Sequence, residues 1–199
     1  VSLSLSMLMP SLATSIVNAA LPELARAFDA SFQGTQWMVL AYLLAMTTLS
    51  VSAGRWGDLL GRRRLLLAGI TLFTASSLLC SAAPTLAALL AARAVQGVGA
   101  ALMTSLTVAL VGETVPKARV GSAMGLLGTT SAIGTALGPA IGGVLTAGLG
   151  WRAMFLVNGP VGLLAFALAS RHLPPDHRSR GIERAVDDHA AEVQDDDEC

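Results

Sequence analysis

Six apolar stretches, at about 2–21, 35–55, 65–82, 84–111, 119–148 and 152–170, constrain this 199-residue chain more than any other feature. Each is near the length of about 20 residues that an α-helix needs to cross the hydrocarbon core of a bilayer. Backbone N–H and C=O groups in hydrocarbon find no water, so they must bond within the element that carries them. The stretches lack the period-2 alternation of strands, which leaves helices. The connections are short, the longest running from Pro22 to Gly34. The expectation is an all-α membrane protein: residues 1–170 form six transmembrane helices in an antiparallel bundle, and residues 171–199 form a disordered, charged cytoplasmic tail.

Composition agrees. The chain is 53% hydrophobic and 13% charged, about half the charged fraction of a soluble domain, ~25%. The formal net charge of zero cancels two unlike regions. Residues 1–170 hold nine basic and four acidic side chains, and residues 171–199 hold four basic and nine acidic ones. Pro174-Pro175 blocks continuation of the last helix, and Asp195-Asp196-Asp197-Glu198 is a solvated like-charge run. Cys80 and Cys199 lie far apart with no metal-ligand spacing, so both read as free thiols. No metal, cofactor or nucleic acid is expected. A cleaved signal peptide is disfavoured, because no basic residue precedes the first apolar run.

Orientation follows from arginine and lysine. Arg55, Arg62, Arg63 and Arg64 fall on one side, joined there by Lys117, Arg119, Arg171, Arg178, Arg180 and Arg184. Arg26 and Arg152 fall on the other. The positive-inside rule makes the first side cytoplasmic, with both termini there, in a multi-pass protein of the plasma membrane. Trp37, Trp56 and Trp151 sit at expected helix ends, where aromatic residues anchor at the interface.

Four constellations stand out. Arg93 lies about nine residues into the fourth helix, roughly 13 Å along a ~30 Å core. Charge at that depth is costly and marks a substrate or proton path by default; a tether to backbone carbonyls is the alternative. Gln96, Gly97, Ala100, Ala101 and Thr104 continue its face. In the first helix Ser4, Ser11, Ser15 and Asn18 share one face, which either lines a cavity or bonds a neighbouring helix. The fifth helix carries Gly125, Gly134, Gly138, Pro139, Gly142 and Gly143. Its 134-138-142 row makes a groove for a close neighbour, and Pro139 should kink the helix. In the 54–64 loop, Gly54, Gly57 and Gly61 accompany Asp58, Arg62 and Arg63. Gly57 and Gly61 are expected to form tight turns and Asp58 to complement a helix N-terminus. No nucleophile–base pair, phosphate-binding loop or paired intramembrane carboxylate occurs, so an enzyme is not expected.

Together these motifs resemble the major facilitator superfamily, and within it the drug:proton antiporters of the fourteen-helix type. The 54–64 loop resembles the signature between helices 2 and 3. Leu89-Leu90 with Arg93, Gln96, Gly97, Gly99 and Ala101 resembles the helix-4 motif. Residues 125–143 resemble the antiporter motif of helix 5. Ile16–Pro22 is similar to the first-helix motif, and Trp151-Arg152, Phe155, Asn158, Pro160 and Gly162 to the start of helix 6.

The resemblance implies one six-helix half of a major-facilitator fold and alternating access about a midplane cavity. It implies a gradient-driven exporter of small amphipathic drugs or metabolites, with protons, a small-molecule substrate and the lipid bilayer as partners. A second six-helix half or a homo-oligomer would complete it. Asp58 and Arg62 would latch a cytoplasmic gate across the halves. Arg93, Gln96, Gly97, Asn18 and Ser15 would serve proton coupling or the substrate path. Leu59 departs from the loop signature and Ala13 from the first-helix motif, where an acid is common. The alternatives are a solute uptake carrier and a transport-incompetent remnant or accessory membrane protein.

Overall fold

The computed structural model describes residues 2–172. These form α1 (Ser2–Ala27), α2 (Phe32–Leu60), α3 (Arg62–Ala82), α4 (Leu86–Thr114), α5 (Val120–Leu149), α6 (Trp151–Leu156) and α7 (Asn158–His172), with a 3-10 turn at Lys117–Arg119 before α5. Among the described residues there is no strand, and six spans are long and apolar enough to cross a membrane, α6 and α7 making up the last. The expected tail from 173 onward lies outside the described residues.

Several ends differ from expectation. Helix α1 runs through Pro22 to Ala27, because proline removes one hydrogen bond and the following turn supplies its own. The long connection shrinks accordingly. Ser31 caps α2, its hydroxyl accepting from Gly34 N at 3.0 Å. Thr85 does the same for α4 toward Ala88 N at 3.2 Å. The last span breaks at Val157, where Pro160 supplies no N–H for the carbonyl of Leu156.

The 54–64 segment is the largest correction. It is not an extended turn: α2 continues to Leu60 and α3 starts at Arg62, so Gly61 alone reverses the chain. Gly61 does so at φ 94° and ψ 123°, a conformation costly to any residue with a Cβ. Gly61→Ala is expected to cost about 1–3 kcal/mol, read as a lower unfolding temperature in detergent. Gly57 is helical and serves packing, since a Cβ there would overlap Leu106 of α4.

Helices α1 and α4 are the most buried and α2 and α5 the least. The first pair forms the spine: α1 packs along α5, and α4 lies between α2 and α3, whose far side meets α6 and α7. Glycines set these distances. A Cβ at Gly99 would stand 2.7 Å from Phe73 N, and one at Gly97 2.9 Å from the Ala45 Cβ. The core has two apolar clusters. One holds Leu66, Ile70, Phe73, Met103 and Leu106 toward the Gly61 end. The other holds Ile16, Leu24, Met38, Leu89 and Phe155 toward the opposite end. Trp151 belongs to this second cluster. It is buried against Phe28 at 5.1 Å and Phe155 at 6.4 Å rather than anchored at the interface as expected.

Candidate functional site: a hydroxyl-lined cavity beside a sealed arginine

Ser11, Ser15 and Asn18 of the first-helix stripe line a cavity of about 310 Å³, and Ser4 does not. From α1 come Met7, Pro10, Ser11, Thr14, Ser15 and Asn18; Leu43 and Met46 come from α2, Thr104 from α4, and Ser131 and Thr135 from α5. No charged side chain lines it. Most hydroxyls are committed to the wall: Thr14 Oγ1 donates to Pro10 O at 2.8 Å and Thr104 Oγ1 to Ala100 O at 2.9 Å. Ser11 and Ser131 share a hydrogen bond of 2.5 Å across α1 and α5. The exposed Asn18 contributes the one side-chain amide, a group able to donate and accept.

The α1–α5 wall explains the fifth-helix motif. A Cβ at Gly134 would lie 3.1 Å from Leu8 O, at Gly138 3.0 Å from Ile16 N, and at Gly142 3.1 Å from Ile16 O. Those three are the contact row. Gly125 and Gly143 face open space and have no packing role among the described residues. Pro139 acts one turn away. Lacking an N–H, it leaves the carbonyl of Thr135 without its helical donor, and Ser15 Oγ fills the vacancy at 2.6 Å. Helix α5 runs unbroken from Val120 to Leu149. Ser15→Ala is therefore expected to cost about 1 kcal/mol, within the range for interhelical bonds in membranes. The loss should shrink in a Pro139→Ala background, where the backbone N–H restored at position 139 satisfies the same carbonyl. A thermal double-mutant cycle reads the coupling.

Arg93, Gln96 and Gly97 do not line this cavity. Arg93 is fully buried. Its guanidinium stacks over Tyr42 at 4.3 Å, and Nη1 donates to Gln96 Oε1 at 2.5 Å. Gln96 Nε2 donates to Ser77 Oγ at 2.6 Å, and Asn158 Nδ2 reaches the same oxygen at 3.0 Å. This polar layer ties α4 to α3 and α7, and it lies between the two apolar clusters. Arg93 Nε and Nη2 have no hydrogen-bond partner among the described residues. Tyr42 touches both the guanidinium and the cavity wall, its ring under Arg93 and its hydroxyl 3.4 Å from the carbonyl of Pro10. Gly97 allows α2 its approach, since a Cβ would strike the Tyr42 carbonyl. Tyr42 and Ser77 were not singled out in the sequence. Each sits in an apolar helix, and its role comes from the helix opposite.

At the Gly61 end Arg62 bridges three helices. Nε and Nη2 meet Asp58 Oδ1 at 3.1 and 2.7 Å, and Nη1 meets Glu113 Oε1 at 3.0 Å and Ala109 O at 3.2 Å. Arg63 Nη2 donates to Ser170 O at 2.6 Å, while nothing lies near a Cβ at Gly54. An arginine in the first turn of α3 and carboxylates at the ends of α2 and α4 each oppose their own helix dipole. Pairing them offsets both. The carboxylates are 59% and 52% exposed, so Glu113→Gln is expected to cost under about 1 kcal/mol, fading in high salt. Chemical unfolding at two salt concentrations measures it. Glu113 was visible in the sequence as an acid at a helix end, with nothing to name its partner.

Comparison with known proteins agrees with the fold. The family description "Major Facilitator Superfamily" matches residues 3–195. The multidrug resistance protein Stp of Mycobacterium tuberculosis (strain CDC 1551 / Oshkosh) is 43% identical over 154 residues, 77% of this chain and 29% of Stp. The riboflavin transporter RibZ of Clostridioides difficile (strain 630) is 36% identical over 83% of this chain and 36% of its own length. This chain thus spans about a third of the curated relatives it matches. The partially occluded, inward-open xylose transporter XylE from E. coli superposes with a TM-score of 0.81 at 18% identity, over 90% of this chain and 51% of that one. The chain is a multi-pass membrane protein and belongs to the Major Facilitator Superfamily.

Proposed function

We propose that the chain forms one six-helix half of a proton-gradient-driven exporter of small amphipathic molecules. It works by alternating access with a second six-helix half, whether that half is a further segment of polypeptide or another subunit. The observation that carries this reading is the cavity. Its walls come from α1, α2, α4 and α5, and α2 and α5 are the least buried helices of the bundle. The face that holds the cavity is therefore the face that lacks a partner. Apolar walls with a few hydroxyls and one free amide suit an amphipathic solute and set few demands on its shape.

The roles divide by position. Ser15 and Asn18 belong to the substrate path. Arg93, Gln96 and Gly97 belong to coupling, with the two open guanidinium donors as the place where a water or substrate oxygen is received once Tyr42 moves. Asp58, Arg62 and Arg63, with Gly54, Gly57 and Gly61, form the gate at the basic end, which faces the cytoplasm along with both termini. Export over uptake rests on the likeness to the multidrug resistance protein Stp. Proteoliposomes holding the assembled two-half transporter discriminate. An imposed pH gradient should drive a fluorescent amphipathic dye against its own gradient, and an uncoupler should stop it. Dye movement indifferent to the uncoupler would overturn the proton-coupled reading.

A further inference from the structure

We propose that the seam between α3 and α7 is a binding site for an anionic phospholipid. The inference stands apart from the transport reading. A second cavity, of about 300 Å³, opens along this seam on the outer face of the bundle. Its walls are Thr71, Ala75 and Leu78 on α3 and Gly162, Leu163 and Phe166 on α7. Both threonine hydroxyls in the lining bond their own helix, Thr71 Oγ1 to Leu67 O and Thr74 Oγ1 to Ile70 O, each at 2.8 Å, so the groove offers methyl and methylene groups. Leu78, Leu163 and Phe166 are 45%, 69% and 40% exposed along its rim. Gly162 keeps the helices close at one end, where a Cβ would overlap the Thr74 side chain.

Charge selects the occupant. Arg64 lies seven residues before Thr71, hence on the same face of α3 and about 10 Å nearer the helix end. Arg171 follows Ser170 near the end of α7, within reach of the same end of the seam by its long side chain, and both arginines are exposed. Arg63 spans the seam between them by its bond to Ser170 O. Neither helix contains an acidic residue. An apolar slot ending in three arginines fits a molecule with an acyl chain and an anionic head, and the bilayer supplies such molecules. The phosphate and its extra negative charge sit at Arg64 and Arg171, and one acyl chain follows the groove.

The test reconstitutes the whole chain in phosphatidylcholine nanodiscs doped with a lipid carrying a diazirine in its acyl chain. That lipid is phosphatidylglycerol in one series and phosphatidylcholine in the other. After illumination, adducts are mapped by mass spectrometry to the peptides of the α3–α7 groove and of the exposed face of α5. Phosphatidylglycerol should label the groove about thirtyfold more than phosphatidylcholine, the ratio that roughly 1 kcal/mol for each of two surface arginines gives. Arg64→Gln with Arg171→Gln should bring the two lipids to parity. Ala75→Phe, at an exposed position, should remove groove adducts of both lipids while leaving those on α5. Equal labelling by the two lipids, a preference that survives the double substitution, or no groove adduct from either lipid because a protein surface covers it, would each overturn the proposal.

Discussion

Replacing Arg93 with methionine is expected to leave the fold intact and to reduce coupled transport by more than tenfold. Two effects compete in stability. The substitution removes a charge-assisted hydrogen bond and leaves Gln96 Oε1 without its donor, a loss of about 1–3 kcal/mol. It also removes a fully buried cation that, among the described residues, has two unpaired donors and no carboxylate beside it. Exchanging a buried ion for a hydrophobe of similar volume is often neutral or stabilising. The net change should stay within about 2 kcal/mol, as a small shift in unfolding temperature. Transport should respond differently, because only the guanidinium offers donors to whatever passes behind Tyr42. If Arg93 were purely a tether, stability would fall and the residual folded protein would still transport. Arg93→Lys should not rescue, since a point ammonium cannot stack flat on Tyr42, hold Gln96 and still present two further donors.

The second large effect is at Gly138. Adding a leucine side chain there places atoms on Ser15 and within 3.0 Å of Ile16 N. The helices must part, which breaks the Ser15–Thr135 and Ser11–Ser131 bonds that close one wall of the cavity. Overpacking costs about 1–3 kcal/mol, and each lost interhelical bond adds about 0.6 kcal/mol. Gly138→Leu should therefore lower stability by about 2–4 kcal/mol and abolish export. Gly143→Leu, in the same motif and facing open space, should leave the stability of this chain within about 0.5 kcal/mol. Thermal unfolding of the two variants in one detergent compares them directly. Equal losses at both positions would contradict the assigned α1–α5 contact.

The contrast between these glycines shows what could be read from the chain. Periodicity located the spans, because hydrocarbon forces every backbone group into a helix and leaves a long apolar run as the trace. The 134-138-142 row followed from spacing alone. Gly57 and Gly61 did not separate in the sequence, since both glycine roles, a left-handed turn and a close helix contact, ask for the same missing side chain. Pro22 looked like a stop because proline usually ends a helix, yet α1 continues to Ala27. The site was legible only as helix faces. Ser11, Ser15 and Asn18 shared a stripe and do line the cavity, whereas Ser4 of the same stripe does not. Arg93 and Asn18 were expected to serve proton coupling or the substrate path together, and in the structure Asn18 lines the cavity while Arg93 is buried against Tyr42. Which helix faces which is set by long-range packing, and single-chain periodicity carries no record of it. The partners of Arg62 and the link from Pro139 through the Thr135 carbonyl to Ser15 depend on those same pairings.

The central claim is that the α1–α2–α4–α5 cavity is the substrate path and that Arg93 lies behind it. Asn18→Cys, in a Cys80→Ala and Cys199→Ser background within the assembled transporter, tests that claim most directly. In membranes, a water-soluble maleimide should label the cysteine at position 18, and an exported amphipathic dye should slow the labelling in proportion to its occupancy. A cysteine at position 96, placed the same way, should resist the reagent. Labelling at position 18 that is absent, or that the dye does not slow, would contradict the account.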